Sequence, residues 1–210
     1  MINLTEMAYP SSFSMEELKT ISSYAKRVAY TAERLERISS GSARVVFKID
    51  EEKALKVAKN QKGLAQNQTE ADYSIQQMYP DLVAQVFETD EDGVFIEMEL
   101  AQKVSEKIFK QLLGFSVGDL TRVLGAEAYR IHGAREVSSF WQNEDGGLEH
   151  LYENEWVKEL IELAINFDHP MPGDFGKVSS YGMVTRDSQP SIVLIDFGFS
   201  RSVYKDHYQR

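Results

Sequence analysis

The sequence contains no cysteine and no long hydrophobic run. The first absence excludes a disulfide framework and a thiolate metal site, and it fits a reducing compartment. The second excludes a transmembrane helix, because about 20 consecutive apolar residues are needed to cross a bilayer. The N-terminal residues Met1–Leu4 also lack the basic and apolar regions of a signal peptide. We therefore expect a protein of the cytoplasm without a membrane partner.

Positive charge is in short supply, since 23 Lys and Arg residues stand against 33 Asp and Glu residues for a net charge of -10. An acidic surface repels phosphate backbones, so nucleic acid is not expected as a partner. A nucleotide is also an anion, and its site would need local positive charge or a metal ion. The 210 residues, 42% of them hydrophobic, suffice for one large domain or two small lobes around a sizeable core.

The hydrophobic periodicity predicts a β-rich first half without internal repeats. Residues 14–37 have helical spacing, with Ser14 as the N-cap and Glu17 completing a capping box. A turn of small residues follows and leads into β-rich segments. We predict strands at 44–49, 53–58, 83–87 and 94–100, and a helix at 63–78 that Pro80 stops.

The second half has a mostly helical pattern from Ser105 onward. Its clearest helix is Glu155–Phe167, which is amphipathic, and two short strands are predicted at 181–184 and 192–195. A β-rich half followed by a helical half predicts an α+β fold of two lobes. The boundary is expected near residues 100–103.

A turn of small residues, Ser39–Ala43, precedes the first predicted strand. Small residues expose backbone N–H groups and allow a close approach to phosphates, which makes Gly41 and Ser42 candidate contacts. The alternative is a plain turn that leads into a hairpin. The sequence leaves both interpretations open.

A lysine, Lys56, stands in the middle of the apolar strand 53–58. Its ammonium group needs water or a partner, because an unpaired buried charge is costly. Glu70 on the following helix can pair with it, and Asp72 is a competing candidate. An exposed glutamate on the helix surface is the alternative for Glu70.

Two carboxylates in the second half could carry chemistry. Asp174 follows a buried helix and could orient or deprotonate a hydroxyl group, while Lys177 could offset charge on a transferred phosphate. Ser179 or Ser180 could bind Mg²⁺ or only cap a turn. Asp196 ends a buried strand, which is one way to fix a metal ligand at a sheet edge. The alternatives are a connecting loop and an ordinary strand end.

The order of these features resembles the protein-kinase-like superfamily, over about residues 38–200. The order is a small-residue loop, a strand lysine, a helix glutamate, a lobe junction, a loop aspartate and then Asp196-Phe197-Gly198, which matches the Asp-Phe-Gly signature. The segments 42–47, 54–60 and 62–67 are similar to small kinase-like proteins of unknown function from bacteriophages and mobile elements. The resemblance implies host-cell cytoplasm if a phage encodes the chain.

The resemblance implies a bilobal α+β fold that binds ATP and Mg²⁺. Residues 1–37 would be an N-terminal helical segment, 38–102 a β-rich N-lobe with one main helix, and 103–210 a short, mostly helical C-lobe. It also implies individual roles. Gly41 would lie over the phosphates, and Lys56 would contact them, oriented by Glu70. The backbone of Met98 and Leu100 would bind adenine, Asp174 would be the base or the substrate-orienting residue, and Asp196 would be a Mg²⁺ ligand.

The chain also departs from the kinase pattern. Only the middle glycine of Gly-x-Gly-x-x-Gly is kept, and Ser39 and Arg44 occupy the other two positions. Pro172 stands where the catalytic-loop His is usual, and Ser179 stands where a metal-binding Asn is usual. Two hypotheses follow. In the first, the chain is a phosphotransferase, and its acceptor is small or non-docked because no Ala-Pro-Glu motif follows. In the second, the chain is a catalytically inactive module that acts through a protein partner, such as a phage–host or virion partner.

Overall fold

Residues 9–208, the part of the chain that the computed structural model describes, divide into two units. The first unit comprises the described residues up to Ala71 together with Gln85–Leu100, and the second comprises Asp72–Ala84 and the residues from Ala101 onward. The first unit is built on a five-stranded sheet, and the second is mostly helical with a three-stranded sheet. The predicted α+β fold class is confirmed. The predicted boundaries at residues 37 and 102 stay predictions.

The first unit orders its strands β1-β2-β3-β5-β4, and all neighbouring strands are antiparallel. Its strands are β1 (Glu36–Ser40), β2 (Arg44–Lys48), β3 (Lys53–Ala58), β4 (Val86–Thr89) and β5 (Phe95–Glu99). Its helices are α1 (Met15–Thr20), α2 (Tyr24–Ala32) and α3 (Gln61–Glu70).

The N-terminal segment differs from the single predicted helix over 14–37. Ser14 caps α1 as predicted and accepts a hydrogen bond from the Glu17 N–H at 3.3 Å. The helix ends at Thr20, because Ile21 takes an extended backbone. Ser23, which is also extended, is the N-cap of α2, a position that serine favours. Residues Glu36–Ser40 are a strand at the sheet edge, where they pair with β2.

The two faces of this sheet differ in chemistry because successive side chains of a strand point to opposite sides. One face joins the apolar core with Leu18 of α1 and Tyr30 of α2. The residues that the sheet contributes to this core are Val45, Phe47, Leu55, Val57 and Phe95. The opposite face carries Arg44 and Lys56, by the register of β2 and β3. The N-terminal helices therefore complete the core of the first unit.

The second unit orders its strands β6-β7-β8. Its strands are β6 (Gln102–Lys103), β7 (Tyr181–Arg186) and β8 (Gln189–Leu194). Its helices are α4 (Tyr73–Met78), α5 (Glu106–Leu113), α6 (Val117–His132), α7 (Glu155–Asn166) and α8 (Arg201–His207). Short 3₁₀ turns occupy Ser139–Trp141, Glu149–Glu153, Gly173–Gly176 and Val178–Ser180. Among residues 9–208, no helix is both long and apolar enough to cross a membrane.

The predicted helix 63–78 is two helices, which fall in different units. Asp72 is the cause, since its carboxylate caps α4 by accepting hydrogen bonds from the N–H groups of Ser74 (2.8 Å) and Ile75 (3.4 Å). The predicted strand over 83–87 begins only at Val86. Val83 instead forms an isolated parallel bridge with Leu194 of β8.

One apolar core holds the second unit together. Phe109, Leu120 and Leu160, one from each of the helices α5, α6 and α7, are fully buried in it. Tyr181 of β7, Leu194 of β8 and Phe197 join the same core. The core therefore anchors the loop that carries Asp174 at both of its ends. It also anchors the strand that leads to Asp196.

Candidate functional site

A buried ion pair links β3 to α3 in the first unit. The Nζ of Lys56 lies 2.6 Å from Oε2 of Glu70, and the two residues are 6% and 0% exposed. The carboxylate thus supplies the partner that a lysine inside an apolar strand requires. The structure brings Lys56 and Glu70 together, whereas Asp72 caps a helix of the second unit.

Arg44 is a second cation on the same carboxylate. Its Nη2 donates to Oε1 of Glu70 at 2.8 Å, and its Nη1 donates to Oδ1 of Asn67 at 3.3 Å. Asn67 in turn donates from Nδ2 to the Gly93 carbonyl at 2.9 Å. Sequence reasoning treated Arg44 only as a missing glycine. The register of the hairpin in the structure places Arg44 and Lys56 on one face of the sheet.

The two cations decide the ionisation of Glu70. Burial alone raises the pKa of this carboxyl, but the charges of Arg44 and Lys56 and their hydrogen bonds outweigh it and lower the pKa from 4.5 to about 2. The carboxylate is therefore ionised at every pH at which the protein is expected to function. It holds both cations by charge and by hydrogen bonds.

Close packing of α3 on the sheet sets the position of Glu70. Asn60 caps the helix by accepting from the Gly63 N–H at 3.1 Å. A Cβ on Gly63 would lie 2.3 Å from the Ala43 carbonyl oxygen and 3.0 Å from the Ala58 Cα, so only glycine allows this approach. Glu70 follows Gly63 by about two helical turns and so faces the sheet as well.

The small-residue turn connects β1 and β2. The Gly41 N–H donates to the Arg44 carbonyl at 2.9 Å inside the hairpin, which differs from the expectation that this amide is exposed for a phosphate. Lys59 Nζ donates to the Gly41 carbonyl at 2.7 Å, and Asn60 Nδ2 donates to the Ser42 carbonyl at 3.1 Å. The turn is therefore tied to the junction of β3 and α3. Phosphate contacts by Gly41 and Ser42 stay predictions.

The segment predicted to hold adenine is the end of β5. Met98 is buried and pairs with Ala54 of β3 and with Val86 of β4. The Leu100 N–H donates to the Glu52 carbonyl at 2.7 Å, so this amide is engaged within the first unit. Adenine binding by Met98 and Leu100 stays a prediction.

The predicted catalytic residues of the second unit lie together. Asp174, in the 3₁₀ turn Gly173–Gly176, forms an ion pair with Lys177 at 2.6 Å between Oδ1 and Nζ. The hydrogen bond from Lys177 to Asp174 raises the pKa of the lysine, and the charge of Asp196 raises it further. The Ser180 carbonyl accepts from the Ile195 N–H at 2.8 Å, which sets Ser180 beside the segment of Asp196.

Two side chains that sequence reasoning missed hold the Asp174 loop. The buried Tyr181 donates its hydroxyl to the Phe175 carbonyl at 2.6 Å, and burial raises the pKa of this phenol. The His169 ring lies 5.3 Å from the Phe175 ring, and its Nδ1 is 3.3 Å from the Phe199 carbonyl oxygen. No local motif singled out His169, and only its tertiary contacts place it beside the Asp174 loop.

The predicted magnesium site has one carboxylate, that of Asp196, and one hydroxyl, that of Ser180. Magnesium is usually bound by one or two protein carboxylates, substrate phosphates and water. Asp196 is exposed and can supply such a carboxylate, whereas Ser180 is 2% exposed. Within residues 9–208 no group of three or more His, Cys, Asp or Glu side chains is placed to hold a metal ion. The metal roles of Asp196 and Ser180 stay predictions.

Replacing Tyr181 with phenylalanine is expected to lower the free energy of unfolding by about 1–3 kcal/mol, because the buried Phe175 carbonyl loses its donor. Urea denaturation measures the change. The matched control is Tyr73→Phe, since the Tyr73 side chain is 75% exposed. A Tyr181→Phe protein as stable as the control would show that the bond does not hold the loop.

Comparisons with known proteins identify distant structural neighbours. No protein-family model matches the sequence, and no curated protein matches it. SAICAR synthase from Saccharomyces cerevisiae, in complex with SAICAR, is similar at 10% identity over 78% of this chain and 73% of that one, with a TM-score of 0.38. The ternary complex of APH(2″)-IIa with streptomycin and ATP is similar at 16% identity over 83% and 69%, with a TM-score of 0.36.

A third neighbour is the GDP and kanamycin complex of an APH(2″) enzyme, at 10% identity over 78% of this chain and 66% of that one, with a TM-score of 0.32. Similarity this low assigns no activity, substrate or ligand to this chain. The resemblance to proteins of bacteriophages and mobile elements stays a prediction.

Proposed function

We propose that this protein binds ATP and Mg²⁺ and transfers the terminal phosphoryl group to a small or non-docked acceptor. The observation that carries the proposal is the buried Lys56–Glu70 pair at 2.6 Å. A lysine ammonium held in place by a carboxylate is suited to the α- and β-phosphates of a nucleotide. Because Arg44 and Lys56 share one carboxylate, the three side chains together keep one positive charge, and an anion needs such a local charge in a chain with a net charge of -10.

Each predicted residue has a separate task in this proposal. Lys56 binds phosphate oxygens, and Glu70 keeps its ammonium in position. Mg²⁺, when bound, neutralises phosphate charge, and Asp196 is the side chain that would hold it. Most of the rate enhancement would come from positioning and electrostatic stabilisation.

Asp174 serves the acceptor hydroxyl in this proposal. The acceptor oxygen bonds to the γ-phosphorus while the bond from that phosphorus to the bridging oxygen of ADP breaks. The Asp174 carboxylate takes the hydroxyl proton, and Lys177, 2.6 Å away from it, offsets negative charge on the transferred group. A carboxylate with a side chain 26% exposed can be reached by an acceptor from solvent.

Two observations favour the second candidate, a catalytically inactive kinase-like module that acts through a protein partner. The Gly41 amide is engaged inside its hairpin, and Arg44 occupies the third glycine position. The first feature occupies a backbone donor that the Gly-x-Gly-x-x-Gly loop offers to phosphates, and the second places a side chain where that loop has none.

Thermal unfolding with and without ATP and Mg²⁺ tests the proposal. ATP at 100 times its dissociation constant should add about 2.7 kcal/mol of stability to the wild-type protein. We expect the shift to be lost in Lys56→Ala, and its Mg²⁺-dependent part to be lost in Asp196→Asn. No shift at millimolar ATP would reject the proposal and favour the inactive module.

A further inference from the structure

The Arg44 guanidinium and the Lys56 ammonium reach one carboxylate from two neighbouring strands. Each oxygen of Glu70 has its own partner, since Oε1 accepts from Arg44 and Oε2 accepts from Lys56. A carboxylate held at both oxygens has a fixed plane, because rotation about its last bond would break one of the two hydrogen bonds. Arg44 therefore restricts the group that orients Lys56.

The position of Arg44 makes this arrangement a property of the hairpin. Val46 of β2 stands opposite Lys56, and Arg44 stands two residues away on the same face. The second arm of the guanidinium reaches Asn67, one turn before Glu70 on α3. The planar fork of arginine can make both contacts at once, which the single ammonium of a lysine does less well.

We infer that Arg44 is a positioning residue for the phosphate-binding lysine, acting through the carboxylate that the two cations share. The inference rests on the proposed function, since it concerns the phosphates that Lys56 would bind. Because Glu70 also attracts Arg44, its negative charge offsets the charge of Lys56 less, and the ammonium group attracts a phosphate more strongly. Loss of Arg44 removes the positioning, this second attraction of Glu70 and one positive charge, and all three changes weaken phosphate binding.

A purely structural role for Arg44 makes a different prediction. Arg44 and Asn67 also attach α3 to the sheet, so a substitution at Arg44 is expected to lower stability in either case. A general loss of structure would weaken every ligand of the site alike. An effect that passes through Glu70 to Lys56 weakens only the ligands that carry phosphates.

The test is an equilibrium titration with two probes, ATP with Mg²⁺ and adenosine, which lacks phosphates. Arg44→Met should weaken ATP binding by about tenfold, the loss of about one charge-assisted hydrogen bond, and should leave adenosine binding within about twofold. Arg44→Lys keeps the charge and should recover part of the loss. If Arg44→Met does not fold, the Arg44→Lys variant is titrated in its place. Arg37→Met on the exposed edge strand β1 is the matched control.

A double-mutant cycle with Glu70→Gln locates the path of the effect. If Arg44 acts through Glu70, Arg44→Met changes ATP binding much less in the Glu70→Gln background than in the wild type. Equal losses for ATP and adenosine, or the same loss in both backgrounds, would overturn the inference while the proposed function stands. A wild-type protein that binds neither probe would overturn the proposed function and this inference with it.

Discussion

Replacing Glu70 with glutamine is expected to lower the free energy of unfolding by about 3–5 kcal/mol at pH 7. The substitution leaves Arg44 and Lys56, whose side chains are 8% and 7% exposed, beside a neutral amide in the interior. Buried charges that lose their counter-charge are among the costliest changes in a protein. Chemical denaturation of the two proteins measures the difference.

The pH dependence of this difference has a definite sign. The pKa of Glu70 is lowered in the folded protein from 4.5 to about 2, so its stabilisation is complete above pH 4.5 and is lost as the pH falls towards 2. The difference in unfolding free energy between the wild type and Glu70→Gln should therefore be constant from pH 7 to 5 and should become smaller below pH 4.5. Glu162→Gln, at an exposed position of α7, should stay within about 0.5 kcal/mol of wild type. A Glu70→Gln protein as stable as this control would contradict the account of the buried cluster.

Replacing Asp174 with asparagine is expected to lower phosphoryl transfer by about 10²–10⁴-fold, the usual contribution of a general base. The amide keeps the shape of the side chain but cannot accept the hydroxyl proton. ATP affinity should change by no more than about twofold, because Asp174 is assigned to the acceptor. Turnover of radiolabelled ATP, including transfer to the protein itself, measures the effect.

The control for Asp174 is Asp206→Asn, an exposed aspartate on α8. Equal turnover of Asp174→Asn and this control would remove Asp174 from the mechanism. Binding of ATP by the wild type without any turnover would instead favour the catalytically inactive module.

Local spacing was enough to predict the centre of the first unit. The strand Lys53–Ala58 has the predicted bounds, and Lys56 is paired with Glu70 because a charge in an apolar strand must find a partner nearby. The errors are at helix boundaries. Two continuous helical patterns are interrupted. Ile21 and Ser23 take extended backbones between α1 and α2, and the Asp72 carboxylate caps α4, since aspartate competes for backbone N–H groups and favours N-cap positions.

The parts of the site that the sequence did not reveal depend on tertiary contacts. Arg44 reaches Glu70 only because of the register between β2 and β3, and the sequence pattern did not specify that register. Tyr181 and His169 act on Phe175 through a hydrogen bond and a ring contact that no local motif encodes. Residues of this kind become visible only when the fold places them together.

A calorimetric ATP titration of two lysine variants in one strand tests the central claim most directly. Lys56 and Lys53 both pair with a glutamate, at 2.6 Å to Glu70 and 2.7 Å to Glu97, but they lie on opposite faces of the sheet. The account predicts that Lys56→Met loses ATP binding and that Lys53→Met binds ATP as the wild type does. Equal binding by the two variants would contradict the assignment of Lys56 as the phosphate-binding residue.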